Sequence, residues 1–244
     1  MRSIVIGLVM ALGIGVAFCN HGSAAAVTRI SWRAMAVAGD DSASVFDNAV
    51  DAMRQLLTAR GVTPVDRLTT DPTLTRADRP LATEKAMVTA FEAARPEPGQ
   101  GCLVFITSHG GRRGLLMRDD TANRQVLSPQ DLGRILNAGC GKAPTVAIVS
   151  ACFSGIFIGA ATEAPNRIIL TAARRDRASF GCGHEEQFTY FDGCMFQAWP
   201  KAASWKALFD ATSACVRAKE DKLGFKHSEP QAFFGAQVVG LGLP

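Results

Sequence analysis

The chain has 244 residues, of which 48% are hydrophobic and 20% charged, with a formal net charge of +4 at pH 7. This apolar content is enough for a full core, and it excludes an intrinsically disordered chain. The charge is mild and no run of five basic residues occurs. We therefore expect no nucleic acid partner.

The N-terminal segment is typical of a secretory signal peptide. Arg2 precedes an apolar stretch over 4–18, and Ala24-Ala25-Ala26 offers a cleavage site. The sequence thus predicts a signal peptide over 1–26 and one domain over 27–244. We expect an exported protein, periplasmic or secreted, with no stable membrane span after cleavage. Anchoring by an uncleaved N-terminal segment is the alternative.

Strand and helix patterns alternate along the rest of the chain. Strands are predicted at 33–38, 62–68, 104–108, 115–118, 146–150, 167–171 and 233–239, and helices at 45–57, 82–94, 128–139 and 196–223. Pro64 indicates that its strand lies near an edge of the sheet. Ser128, Pro129 and Asp131 form a helix start, whereas the mostly polar segment 172–193 is predicted to be a loop. This alternation favours a mostly parallel sheet covered on both faces.

Two of the predicted strands end on reactive side chains. One stops at His109, which Gly110 and Gly111 follow, and another stops at Cys152. A single helix lies between them, so a right-handed crossover makes the two strands neighbours or near-neighbours. Because both carboxyl ends then lie on the same edge, the sequence predicts a dyad with Cys152 as nucleophile and His109 as general base.

Backbone groups beside the dyad are predicted to assist it. The N–H groups of Gly110 and Cys152 are placed to bind one oxyanion. A helix beginning directly after Cys152 is expected to favour the thiolate through its dipole. We expect neither a metal nor an organic cofactor.

Export bears on the other cysteines. Cleavage removes Cys19 and leaves Cys102, Cys140, Cys152, Cys182, Cys194 and Cys215. If Cys152 is free, at most two disulfides form and one thiol is left over. The pairing does not follow from the sequence, although Cys182 with Cys194 is a plausible bridge. Zinc at Cys182, His184 and Cys194 is disfavoured because the spacing lacks a paired second half.

The sequence around the dyad resembles a known family. Ser-His-Gly-Gly at 108–111 and Ser-Ala-Cys-Phe-Ser-Gly at 150–155 are similar to motifs of the legumain-like cysteine peptidases, peptidase family C13 in the caspase-like fold group. The similarity extends over 33–199. It implies a caspase-like three-layer α/β sandwich with about six mostly parallel strands, and a cysteine-type endopeptidase acting on peptide or protein substrates. The compact length resembles a bacterial member.

The chain departs from the legumain pattern at its substrate pocket. Asp47-Asn48 and Phe153 stand where the family's asparagine pocket has a basic pair and an acid. This departure predicts a preference for a basic residue rather than asparagine. Asp47, Phe153, Ser179 and Asp192 are the candidate substrate-binding residues. The alternative is that Asp47 only decorates the first helix.

Three other interpretations remain open from the sequence. The same thioacyl intermediate allows transpeptidation or peptide ligation when an amine replaces water. A non-catalytic binding protein on a caspase-like fold is a third function, which an intact His109 and Cys152 disfavour. His184 is the rival candidate for the base, although it follows the nucleophile. The sequence predicts no oligomeric state.

Overall fold

The structure is a computed structural model that describes residues 30–93, 95–118, 124–183 and 185–244. The predicted signal peptide and His184 lie outside the described residues. The strands are β1 (Ser31–Ala38), β2 (Val65–Leu68), β3 (Gln100–Thr107), β4 (Gly110–Gly111), β5 (Gly114–Arg118), β6 (Arg124–Leu127), β7 (Thr145–Ser150), β8 (Arg167–Thr171) and β9 (Gln231–Phe234). The α-helices are α1 (Val45–Thr58), α2 (Glu84–Ala93), α3 (Pro129–Gly139), α4 (Tyr190–Ala198) and α5 (Trp205–Leu223).

A six-stranded sheet forms the centre of the fold, in the order β2-β1-β3-β7-β8-β9. The first five strands in that order are parallel, and β9 runs antiparallel to β8. This mostly parallel sheet confirms the predicted α/β fold. The edge position predicted from Pro64 is also confirmed, because β2 follows this proline and lies at one edge.

Apolar side chains cover both faces of the sheet, which makes three layers. Alternate residues of β3 point to opposite faces, so Leu103 and Phe105 pack in one cluster and Val104 and Ile106 in the other. The first cluster includes α1, α4 and α5, and the second includes α2 and α3. The strands that position the candidate catalytic groups are therefore packed against a hydrophobic core on both faces.

The helices after β8 differ from the prediction. The single helix expected over 196–223 is two helices, α4 and α5, separated by a 3₁₀ turn that contains Pro200. Helix α4 begins inside the predicted loop, where the side chain of Thr189 caps it by accepting from Asp192 N–H. The last strand is also shorter than expected and ends at Phe234, since the chain forms turns over 236–240.

Two disulfides join helices to their neighbours. Cys102 at the start of β3 is bonded to Cys140 after α3, and Cys194 on α4 is bonded to Cys215 on α5. The suggested bridge between Cys182 and Cys194 is therefore wrong, because Cys194 is already bonded. The same bond removes Cys194 from the zinc ligands considered. Cys152 and Cys182 are the two free cysteines of the described residues.

None of the helices in the described ranges combines the length and the apolar character that crossing a membrane requires.

Candidate active site

The two predicted catalytic residues follow neighbouring strands at the same level. Strands β3 and β7 pair in parallel with Thr107 opposite Ser150. His109 and Cys152 each come two residues after this last pair, and Ser108 N–H still donates to the Ser150 carbonyl at 3.1 Å. Both residues therefore follow the carboxyl ends of neighbouring parallel strands.

Gly110 allows the segment after β3 to approach the segment after β7 closely. A Cβ at this position would overlap the carbonyl oxygen of Cys152 and lie 2.9 Å from the Cβ of Ala151. Strands β4 and β5 are antiparallel, and Leu116 N–H donates to the His109 carbonyl. Gly110 and Leu115, which lie opposite each other, are therefore a pair without hydrogen bonds between them. The Gly110 N–H consequently points away from β5.

The thiol of Cys152 is half-buried and has three polar contacts with Ser179. The N–H of Ser179 donates to the sulfur at 3.3 Å, its hydroxyl lies 3.7 Å away, and its carbonyl accepts from the thiol at 3.4 Å. The N–H and the hydroxyl are thus donors to the sulfur, and the carbonyl is an acceptor for the thiol proton. Ser179, predicted to bind substrate, thus lies directly against the nucleophile.

A sharp turn follows Cys152. Phe153 has a φ of 59°, in the left-handed region, and its N–H donates to the Arg177 carbonyl at 2.7 Å. Its ring lies 5.7 Å from the guanidinium carbon of Arg112. The helix expected after Cys152 is only a 3₁₀ turn over Ser154–Phe157, because the chain folds back towards the loop after β8. This prediction is corrected: so short a turn has little dipole to offer.

His109 is half-buried against helix α1. Its imidazole meets the ring of Phe46 edge to face, with 5.1 Å between the ring centroids. In the described part of the chain, no hydrogen bond joins His109 to Cys152. Catalytic hydrogen bonds are often long in an unliganded site and tighten when substrate binds.

Cys182 is a second thiol near the nucleophile, but it is held in the neutral form. Burial raises its pKa to about 12, and the negative charges of Cys152, Asp192 and Asp40 act in the same direction. Since the thiolate is the nucleophile, Cys182 is inert at neutral pH. Of these two cysteines, only Cys152 has the contacts of a reactive thiol.

Comparison with known proteins agrees with this geometry. The model of the Peptidase C13 family matches residues 83–234, which is more than half of the chain. The chain belongs to the Peptidase C13 family. Members are cysteine peptidases, so at the level of the family this chain is a hydrolase of peptide bonds. No curated protein matches the chain.

The region matched by the C13 model contains both His109 and Cys152. It also contains Ser179 and Asp192, but it leaves out β1 and α1. Asp47 therefore lies outside the matched region, and its relation to the C13 substrate pocket rests on the sequence resemblance alone.

Asp47 is paired within the protein rather than open to a substrate. Its carboxylate accepts from Arg79 at 2.6 Å, and both side chains are buried. Burial raises its pKa above the usual range, against hydrogen bonding by Thr69 and the charge of Arg79. A paired carboxylate offers no free charge to a substrate arginine or lysine. The predicted role of Asp47 as a free charge for the substrate is corrected, because its carboxylate is paired with Arg79. The preference for a basic residue itself stays a prediction.

Asp192 lies beneath the dyad, not in a substrate pocket. It is fully buried, and its Oδ2 accepts from the hydroxyl of Thr107 at 2.8 Å. Burial raises its pKa to about 6, although the nearby hydroxyls of Ser150, Thr107 and Thr189 lower it. The substrate contact predicted for Asp192 is corrected, since no part of the residue reaches the surface. A Thr three residues before an Asp is a helix-start pattern, so Thr189 and Asp192 are the sequence signal that could have placed Asp192 in the first turn of a helix and not in a loop.

Proposed function

We propose that this protein is an exported cysteine-type endopeptidase that cleaves peptide bonds through a thioacyl-enzyme on Cys152. The proposal is supported most by the positions of His109 and Cys152, which each come two residues after the last pair of the parallel strands β3 and β7. A base and a nucleophile on one sheet edge are the two groups that thiol catalysis requires.

The acylation step follows from these two side chains. His109 takes the thiol proton, and the Cys152 sulfur attacks the carbonyl carbon of the scissile bond. A C–S bond forms while the carbon–nitrogen bond breaks, and the imidazolium gives its proton to the leaving amine. The N–H groups of Gly110 and Cys152 stabilise the oxyanion between these events.

Deacylation uses the same groups in the opposite order. His109 takes a proton from water, and the resulting hydroxide attacks the thioester carbon. The C–S bond breaks, the carboxylic acid product leaves, and the sulfur recovers its proton. The contact of Ser179 N–H with the sulfur supports this step because it stabilises the departing thiolate.

Export is supported by two separate features. Disulfides persist in oxidising compartments, and this protein has Cys102–Cys140 and Cys194–Cys215. The charged start, apolar stretch and small-residue site before residue 27 are those of a signal peptide. We place the mature protein in a periplasm or outside the cell.

Cleavage of an unfolded protein tests the proposed activity. We expect the purified protein to cut an unstructured polypeptide at internal bonds, and iodoacetamide to stop the reaction while a metal chelator does not. Mass spectrometry of the products gives the positions of the cuts. Absence of internal cuts, or cuts that persist after full alkylation of Cys152, contradicts the proposal.

A further inference from the structure

The buried carboxylate of Asp192 lies on the same side of the sheet as the dyad. Residues two apart in a strand point to one face, so Thr107 and Ser150, the last residues of β3 and β7, point to the same face as Phe105 and Ile148. The imidazole of His109 contacts Phe46 on that face. The hydroxyls of Thr107 and Ser150 both contact the first turn of helix α4. The first turn of α4 therefore contacts the ends of both β3 and β7.

Two hydrogen-bond paths tie the strand ends to this turn. The hydroxyl of Thr107, at the end of β3, donates to Asp192 Oδ2 at 2.8 Å. The hydroxyl of Ser150, at the end of β7, lies 3.3 Å from that of Thr189, which accepts from Asp192 N–H at 3.2 Å. All four residues are buried. A shift of Asp192 therefore reaches both strands.

The carboxylate of Asp192 is not used as an ordinary helix cap. Asp131 occupies the same position of α3, three residues after the cap Ser128, and its carboxylate returns to the Ser128 backbone N–H in a capping box. Asp192 instead crosses to β3, and its Oδ1 has no hydrogen-bond partner among the residues that the structure describes. Burying a carboxylate oxygen without a hydrogen-bond partner costs free energy, and capping of α4 does not explain it.

We propose that Asp192 is a positioning residue, whose carboxylate fixes the end of β3 and thereby holds His109 level with Cys152. The inference rests on the proposed peptidase function, because it concerns the same dyad. Asp192 touches neither the substrate nor the reacting atoms. Its carboxylate acts through Thr107 on the β3 end that precedes His109, while its backbone N–H bonds to Thr189, whose hydroxyl contacts Ser150 at the end of β7.

Ionisation of Asp192 then makes the strength of its hydrogen bond with Thr107 depend on pH. On the elements packed around it, Cys182 is the titratable group on which the charge of Asp192 acts. His109 and Cys152 follow β3 and β7, Asp40 follows β1, and Asp47 lies on α1. The pKa of Asp192 follows from burial, which raises it to about 6, and from its hydroxyl neighbours, which lower it. Above this pH the carboxylate accepts from Thr107 as a charged group, and below it the neutral acid is a weaker acceptor. Because the pKa is raised by folding, ionisation also lowers the stability of the native state as the pH rises.

Asp192→Asn tests the proposal, since the amide keeps the volume and mimics the neutral acid. We expect kcat to fall about tenfold at pH 7.5 with KM within about twofold of wild type, because the chemical step alone depends on the dyad's position. We expect the difference to vanish near pH 5, with a midpoint near pH 6. Thr107→Val should give a similar loss, and the double variant should be no worse than either single one.

The alkylation rate of Cys152 by iodoacetamide, followed by mass spectrometry, gives a readout that needs no substrate. If wild type hydrolyses no peptide, the proposed function fails, but the alkylation rates still test Asp192. Asp131→Asn is the matched control, and it should reduce stability without changing either rate. Wild-type rates in Asp192→Asn, a pH-independent loss, or additive losses with Thr107→Val overturn the proposal. If Asp192→Asn does not fold, Thr107→Val carries the same test.

Discussion

Cys152→Ala is expected to lower kcat/KM for peptide hydrolysis by about 10³-fold or more, because alanine has no sulfur to form the thioacyl bond. Alanine is smaller than cysteine and the site is half-buried, so we expect the variant to fold as wild type does. Progress curves with a fluorogenic peptide give the activity, and thermal unfolding shows that the fold is retained.

Cys182→Ala is the matched control for this experiment. It removes the other free thiol, which burial keeps protonated, and we expect its activity to stay within about tenfold of wild type. A Cys152→Ala protein that keeps most of its activity, or a Cys182→Ala protein that loses it, contradicts the assignment of the nucleophile.

Gly110→Ala is expected to lower kcat by about 10²-fold, because the new methyl group separates the donor N–H from its place beside Cys152. The same overlap with the Cys152 carbonyl should lower the free energy of unfolding by about 1–3 kcal/mol. Steady-state kinetics at a pH above 7 and urea unfolding measure the two effects separately.

Gly111→Ala provides a control at the next position. A Cβ at Gly111 meets no atom within 4 Å, so the added methyl group points into open space. We expect wild-type kinetics and stability from this variant. Equal effects of the two substitutions would show that the loss comes from the loop's flexibility and not from contact with Cys152.

The strand ends of the site could be predicted because their sequence signals are local. Apolar runs that stop at His109 and at Cys152, with one helix between them, leave few parallel arrangements. The start of α3 was equally clear, since Ser128, Pro129 and Asp131 supply the whole capping box. In these places the short-range chemistry and the tertiary fold agree.

The support beneath the dyad could not be predicted in this way. The bond from Thr107 to Asp192 joins residues 85 positions apart, and nothing in either local sequence specifies the partner. The ion pair of Asp47 with Arg79 has the same origin, because Arg79 lies in a loop whose path depends on tertiary packing. The pairing of Cys194 with Cys215 depends on how α4 and α5 cross. Long-range contacts of this kind decide which candidate residues face a substrate and which face the core.

Covalent labelling of the nucleophile tests the central claim most directly. The protein is incubated with a peptidyl acyloxymethyl ketone, digested, and analysed by mass spectrometry for the modified residue. The account predicts one adduct on Cys152, none on Cys182, and labelling about 10²-fold slower in His109→Gln, where the base is lost. An adduct on Cys182, or labelling of Cys152 at the wild-type rate without His109, would contradict the dyad.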